Sequence, residues 1–137
     1  LKGSSGNTTA ATAGTDFMKP DTTSALSAGF TATSYSGGTI TGSGQTYTPA
    51  AASGNFQHIT LNGSSLTGTF TFAVPSSVTS MVVEVVNGGS GAVGATLSTS
   101  GYAKVTGDTY ATTNGNKYLF CITKTNSSSH LHVQALQ

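Results

Sequence analysis

The stretch SHLHV, Ser129 to Val133, contains two of the chain's three histidines, His130 and His132, spaced two residues apart. On a β-strand this spacing places both imidazoles on one face, with Leu131 and Val133 on the other. Two imidazoles are too few to hold a metal ion in one chain, but three chains meeting on a threefold axis supply six, enough for an octahedral ion. The favoured interpretation of the pattern is a solvated polar face of a terminal strand. The alternative is a metal site at His130 and His132, possible only across a trimer axis.

The stretch MVVEVVNGGSGAVG, residues 81–94, has the G-x-G-x-x-G spacing of a dinucleotide-binding loop after an apolar run. Such a loop holds a pyrophosphate only where its last glycine opens a helix, whose free N–H groups bind the anion. The residues that follow, ATLSTSGYAKVTG, are rich in Thr, Ser and Val and show no helical apolar stripe. We therefore expect a hairpin or bulge loop here and no bound nucleotide.

Few side chains in the sequence are suited to catalysis. The acidic residues are Asp16, Asp21, Glu84 and Asp108, and no two form an evident acid/base pair of the glycosidase type. The single cysteine, Cys121, lies in the apolar stretch KYLFCIT, which favours a packed thiol over a reactive one. We expect a protein without enzymatic activity and without a cofactor. A small hydrolase of surface polysaccharide is the disfavoured alternative.

Four tyrosines lie near or within Gly/Ser/Thr-rich segments, where an aromatic face beside polar neighbours can bind a sugar: Tyr35, Tyr47, Tyr102 and Tyr110. The competing interpretation for each is packing in the core or in a hairpin. These residues are the candidate glycan contacts.

The charge and the hydropathy of the sequence argue against two classes of partner. Charged residues make up 7% of the sequence and the formal net charge is +1, where typical soluble domains have roughly 25% charged residues. Lysine and arginine together number five, without a basic cluster, so the sequence has no electrostatic signature of nucleic-acid binding. No apolar run approaches the roughly 20 residues of a membrane span. We expect neither nucleic acid nor membrane insertion.

The elements that must position these side chains are β-strands. TFTFAV and KYLFCIT alternate apolar and polar residues with period two, and residues 81–86 are apolar on both faces apart from Glu84. The latter pattern is typical of a central strand or of one buried at a subunit contact. Turn signals such as Asn62-Gly63, Asn87-Gly88 and Asn114-Gly115 recur between the apolar runs. Together they predict an antiparallel β-sandwich of the jelly-roll kind.

The sequence divides into two parts. Residues 1–26 are rich in Ser, Thr, Ala and Gly and predict an extended N-terminal arm, whereas residues 27–137 predict the sandwich domain. The expected core of that domain comprises Phe30, Tyr47, Phe56, Ile59, Leu61, Phe70, Phe72, Val74, Val83, Val85, Leu97, Val105, Tyr118, Phe120, Ile122, Leu131 and Val133.

Two parts of the sequence resemble a known family. LKGSSGNTTAATAGTDFMKPDTTSAL is similar to the connector that precedes a distal domain in bacteriophage tail-fibre and related virion proteins. The remainder is similar to the small β-rich terminal domains that follow it, in GFTATSYSGGT, YTPAAASGNFQHIT, VVNGGSGAV, TGDTYATTNGNKYLFCIT and the closing VQALQ.

The resemblance implies a virion structural protein, a tail-fibre or tail-tip module that contacts the host surface and its glycans. It further implies a homotrimer, joined to other virion proteins through the arm and assembled in the cytoplasm of the bacterial host. The alternative is a head fibre or capsid decoration protein with a purely structural role. The family supplies no catalytic residues.

Overall fold

The computed structural model of the chain describes residues 34–136. They form eight strands and one short 3-10 turn: β1 (Tyr35–Ser43), β2 (Thr46–Tyr47), the turn Ala51–Ser53, β3 (Phe56–Phe72), β4 (Thr79–Gly88), β5 (Gly94–Ser98), β6 (Lys104–Gly107), β7 (Lys117–Lys124) and β8 (Ser129–Leu136). The all-β class is thereby confirmed. The predicted arm, residues 1–26, and Phe30 of the expected core lie outside the described residues.

The strands form one mixed sheet in the order β1-β3-β4-β7-β8-β6, with β2 and β5 paired to the second half of β3. β1, β2, β4 and β5 all run parallel to β3. β7 is antiparallel to both β4 and β8, and β6 lies parallel to β8 at the far edge. The parallel strands make up three successive coils of chain, residues 35–47, 56–72 and 79–98.

The connection between β3 and β4 shows that these coils fold back on themselves. A straight strand of the length of β3, 17 residues, would span about 56 Å. The link of residues 73–78 can reach at most about 25 Å, yet β4 pairs with the first half of β3, with Val82 opposite Phe56. β3 must therefore bend, as the strands of a β-solenoid do.

The bend in β3 lies between Gly63 and Leu66. Buried residues alternate from Gln57 to Gly63, and the alternation then shifts by one residue, resuming at Leu66 and continuing at Phe70 and Phe72. The register with β1 shifts at the same place, since Ile40 lies opposite Leu61 but Gly42 lies opposite Leu66. The corner keeps apolar side chains from both halves of the strand on the same core.

The predicted antiparallel sandwich is therefore wrong in its strand pairing. Of the seven strand pairs within residues 34–136, five are parallel and two antiparallel. Period-two alternation reports burial but not strand direction. The Asn-Gly pairs at 62–63 and 87–88 lie within β3 and at the end of β4, where the chain continues forward instead of reversing.

Most of the expected core is confirmed, and the other expected core residues within residues 34–136 are half-buried or exposed. The confirmed residues are Ile59, Leu61, Phe70, Phe72, Val83, Val85, Tyr118, Phe120, Ile122, Leu131 and Val133. Tyr47, Val74 and Leu97 are only half-buried. Phe56 and Val105 were wrongly predicted as core: they are 46% and 45% exposed. The prediction for Phe56 is wrong because its side chain points away from the core, on the face of β3 opposite to Gln57 and Ile59.

Phe72, at the end of β3, lies at the centre of the aromatic packing. Its ring centroid lies 4.9 Å from that of Phe120, 6.1 Å from that of Tyr47 and 6.3 Å from that of Tyr102. These contacts join the second coil to the first coil, to the segment before β6 and to β7. No helix within residues 34–136 is long and apolar enough to cross a membrane.

Candidate functional site

His130 and His132 lie on one face of β8, as their spacing predicts, and one hydroxyl from the neighbouring strand binds both. Thr106 Oγ1 of β6 is 2.8 Å from His130 Nε2 and 3.1 Å from His132 Nδ1. A hydroxyl carries one proton, so it donates to one ring nitrogen and accepts from the N–H of the other. His130 is half-buried and His132 is exposed, which leaves this cluster open to solvent.

The residues after Thr106 hold β6 against β8. Gly107 has a φ of +97°, and a Cβ there would lie 2.0 Å from the Val133 carbonyl oxygen, so only glycine fits. The Asp108 backbone N–H donates to the Val133 carbonyl at 2.8 Å, and Asp108 Oδ2 accepts from the Ala135 N–H at 2.8 Å. Asp108 thus satisfies backbone groups at the sheet edge, and its carboxylate is committed to that structural role.

The predicted trimer-axis metal site stays a prediction. Within the part of the chain that the structure describes, no group of three or more His, Cys, Asp and Glu side chains is arranged to hold a metal ion. Cys121 lies opposite His132 on β7 and is half-buried. The third histidine, His58, lies opposite Glu84 on the same outward face of the sheet, and two strands, β4 and β7, separate its strand β3 from β8.

Three of the four candidate glycan tyrosines, Tyr35, Tyr47 and Tyr102, differ in exposure and in hydrogen bonding. Tyr35, at the start of β1, is 45% exposed. The Tyr47 hydroxyl donates to Gln57 Oε1 at 2.7 Å, and burial, with Tyr35 nearby, raises the pKa of Tyr47. The Tyr102 hydroxyl donates to the Ala73 carbonyl at 3.1 Å, and burial raises its pKa well above the ordinary value. The hydroxyls of Tyr47 and Tyr102 are thus hydrogen-bonded within the protein, and a role of either residue in glycan binding stays a prediction.

Tyr110 differs from the other candidates because its ring lines an open groove of about 430 Å³. The groove runs along β5, with Val93, Leu97, Thr96 and Thr112 among its other walls. The Tyr110 hydroxyl donates to Asn87 Oδ1 at 2.7 Å, which fixes the ring. Burial raises the pKa of Tyr110 to about 12, although the hydrogen bond to Asn87 partly opposes that rise.

Sequence analysis missed Asn87, although this residue organises the loop that carries Tyr110. Its side chain is 1% exposed. Besides accepting from Tyr110, it donates to the carbonyl oxygens of Ala111 at 2.8 Å and Thr113 at 3.0 Å. The sequence does contain a sign of this role. Asn87 follows Val83 and Val85 at two-residue spacing, so it lies on the buried face of the strand, where a polar side chain must find hydrogen-bond partners inside the protein.

The glycine motif of residues 89–94 is a structural corner, and a strand begins at Gly94 where a nucleotide site would need a helix. Gly89 has a φ of +87°, and a Cβ at Gly63 would lie 1.8 Å from the Gly91 carbonyl oxygen. The loop thus passes directly over the bend in β3. It joins β4 to β5, both parallel to β3, so of the two expected structures, a hairpin or a bulge loop, the hairpin is wrong.

Comparison with known proteins gives no further guide to function, because no family model, no curated protein and no solved structure matches the chain.

Proposed function

We propose that the chain is a structural module of a bacteriophage particle, at a tail fibre or tail tip, that contacts host-surface glycan through the groove beside Tyr110. The observation that carries the proposal is the set of residues that line the groove: Tyr110, the apolar residues Val93, Ala95 and Leu97, and the threonines Thr96 and Thr112, with no charged residue among them. Binding sites for small ligands combine apolar walls with a few placed polar groups in this way.

The hydrogen bond that fixes the Tyr110 side chain favours the binding of a sugar. A sugar presents C–H groups that pack on an aromatic face and hydroxyls that need hydrogen-bond partners. Because Asn87 already fixes the tyrosine hydroxyl, binding costs little side-chain entropy at this residue. The low charge of the chain, with a formal net charge of +1, suits a neutral or weakly charged polysaccharide.

The test is binding of the purified protein to an array of bacterial surface polysaccharides. The variant Thr96→Trp fills the groove from an exposed position on β5, so it should lower binding at least tenfold while the circular dichroism spectrum is kept. Thr41→Trp is the matched control, since Thr41 is an exposed threonine on β1 away from the groove residues. Binding that Thr96→Trp leaves intact would remove the groove from the proposal.

Absence of binding to any polysaccharide on the array would favour the alternative, a head fibre or capsid decoration protein. In that case the predicted arm carries the function, and deletion of residues 1–26 should abolish incorporation into particles while the strands of residues 34–136 stay folded. Release of new reducing ends from the same polysaccharides would instead support the hydrolase alternative.

A further inference from the structure

The cluster of His130, His132 and Thr106 has the spacing of metal ligands within a single chain. An imidazole nitrogen binds a divalent transition-metal ion at about 2.1 Å, and two ligand atoms at right angles around the ion are then about 3.0 Å apart. The Thr106 oxygen lies 2.8 Å and 3.1 Å from the two ring nitrogens. These two separations match adjacent edges of an octahedron or a square-based polyhedron.

We propose that His130 Nε2, His132 Nδ1 and Thr106 Oγ1 form a binding site for one divalent transition-metal ion in each copy of the chain, with water in the remaining positions. The ion replaces the two hydrogen bonds to Thr106, and the imidazole that donates to Thr106 changes tautomer, so that its proton moves to its other ring nitrogen. Neutral imidazole suits Ni²⁺, Cu²⁺ and Zn²⁺ among the biological ions. The exposure of His132 leaves room for coordinated water. The site is complete within one chain, unlike the six-histidine site expected on a trimer axis, and it does not depend on the proposed function.

The surrounding backbone preorganises the three ligands. Thr106 lies opposite His132 in the parallel β6–β8 ladder, and Gly107 and Asp108 fix the end of β6 through the Val133 and Ala135 backbone. One neighbour opposes cation binding, because Lys104 lies opposite His130 in the same ladder. Its ammonium group should weaken the site by electrostatic repulsion.

The first test is calorimetric titration of the untagged protein with Ni²⁺. We expect one ion per chain, and affinity at least tenfold lower in each of His130→Ala and His132→Ala. His58→Ala is the matched control, because it removes an imidazole from the same outward face without touching the cluster, and it should bind like the parent. Circular dichroism and the urea midpoint establish that each variant is folded.

Two further variants test the particular geometry. Thr106→Val keeps the β-branched shape but removes the hydroxyl, so it should weaken Ni²⁺ binding roughly threefold to tenfold. Lys104→Met removes the opposing charge and should strengthen binding roughly twofold to fivefold. With Cu²⁺, electron paramagnetic resonance should show coupling to two imidazole nitrogens in the parent and to one in either histidine variant.

Three results would overturn the proposal. The first is no Ni²⁺ binding by the folded parent protein at millimolar metal, and the second is an equal loss of affinity in His58→Ala. The third is one ion per three chains, accompanied by a trimeric mass, which would place the metal on a threefold axis instead.

Discussion

At the scale of single residues, the buried side-chain amides of Gln57 and Asn87 each join a strand to a neighbouring loop by hydrogen bonds. Gln57 is 2% exposed, accepts from the Tyr47 hydroxyl, and donates to the carbonyls of Ala50 at 2.7 Å and Gly54 at 2.9 Å. Asn87 repeats the arrangement with Tyr110 and the loop carbonyls that follow it. Each amide uses both donors and its acceptor, so a buried polar group becomes a connector between strand and loop.

We expect Asn87→Ala to lower the free energy of unfolding by about 2–3 kcal/mol, because it strips partners from the Tyr110 hydroxyl and from two loop carbonyls. Urea denaturation measures the change. Asn114→Ala, an exposed asparagine in the turn of the same loop, should change stability by no more than about 0.5 kcal/mol. Equal effects of the two substitutions would contradict the role assigned to Asn87.

Tyr47, Tyr102 and Tyr110 should make the folded protein less stable at alkaline pH. Burial raises the pKa of Tyr47, Tyr102 and Tyr110 above the ordinary 10.0, that of Tyr110 to about 12. A group whose pKa is raised in the folded state contributes stability in full below its unfolded pKa and loses it as pH rises through the folded pKa. The urea midpoint should therefore fall steadily between pH 10 and pH 12.

Tyrosinate absorbance distinguishes this mechanism from general alkaline damage. The part of the absorbance that belongs to Tyr47, Tyr102 and Tyr110, which are half-buried, should rise together with unfolding, and Tyr110→Phe should make the decline of the midpoint with pH shallower. A midpoint that stays constant up to pH 12 would be inconsistent with protons held by the folded state.

At the scale of elements, the corner of β3 depends on close packing between two glycines. The Gly91 carbonyl occupies the space that a side chain at Gly63 would need. Neither residue has a positive φ, so backbone strain does not distinguish them. The requirement for glycine at position 63 is therefore steric, set by the loop between β4 and β5.

This packing gives a matched pair of substitutions. A Cβ at Gly63 would lie 1.8 Å from the Gly91 oxygen, whereas a Cβ at Gly91 has no neighbour within 4 Å. We expect Gly63→Ala to cost about 2–3 kcal/mol, since the loop must move away, and Gly91→Ala to change stability by about 0.5 kcal/mol or less. Thermal and urea unfolding measure both. A reversed order would show that the corner packs differently.

The sequence predicted elements better than it predicted their arrangement. Alternation in KYLFCIT located β7, because burial on one face leaves a period-two pattern, and the short apolar run of residues 81–86 located β4. Strand direction depends on where the chain turns, and Asn62-Gly63 carries the same local signal at a coil corner as at a hairpin. The spacing of His130 and His132 located the metal-ligand candidates, but Thr106 is 24 residues from His130 and no local pattern joins them.

At the scale of the whole molecule, the two exposed features of the sheet differ in their suitability for assembly. Within residues 34–136, β1 is an edge strand whose pairing with β3 is interrupted by register shifts between Ser36 and Thr39 and between Ile40 and Gly42, and an irregular edge strand is a poor template for another strand. The outward face of the sheet instead carries one row of apolar side chains, although His58, Glu84 and the histidines of β8 lie on the same face. Phe56, Val82 and Cys121 form a row across β3, β4 and β7, and Phe56 is 46% exposed.

The expected trimer should therefore form through this outward face and not through the β1 edge. We predict a native mass of three times 13.6 kDa in sedimentation equilibrium, and a shift to monomer in Val82→Lys, because an ammonium group in the middle of the apolar row would be buried unpaired at the contact. Val82 points away from the core that Met81 and Val83 share, so the variant should stay folded. Val78→Lys, at an exposed position outside the row, is the control for added charge. A parent protein that remains monomeric at high concentration would contradict the trimer, whereas a trimer that survives Val82→Lys would move the contact to another surface.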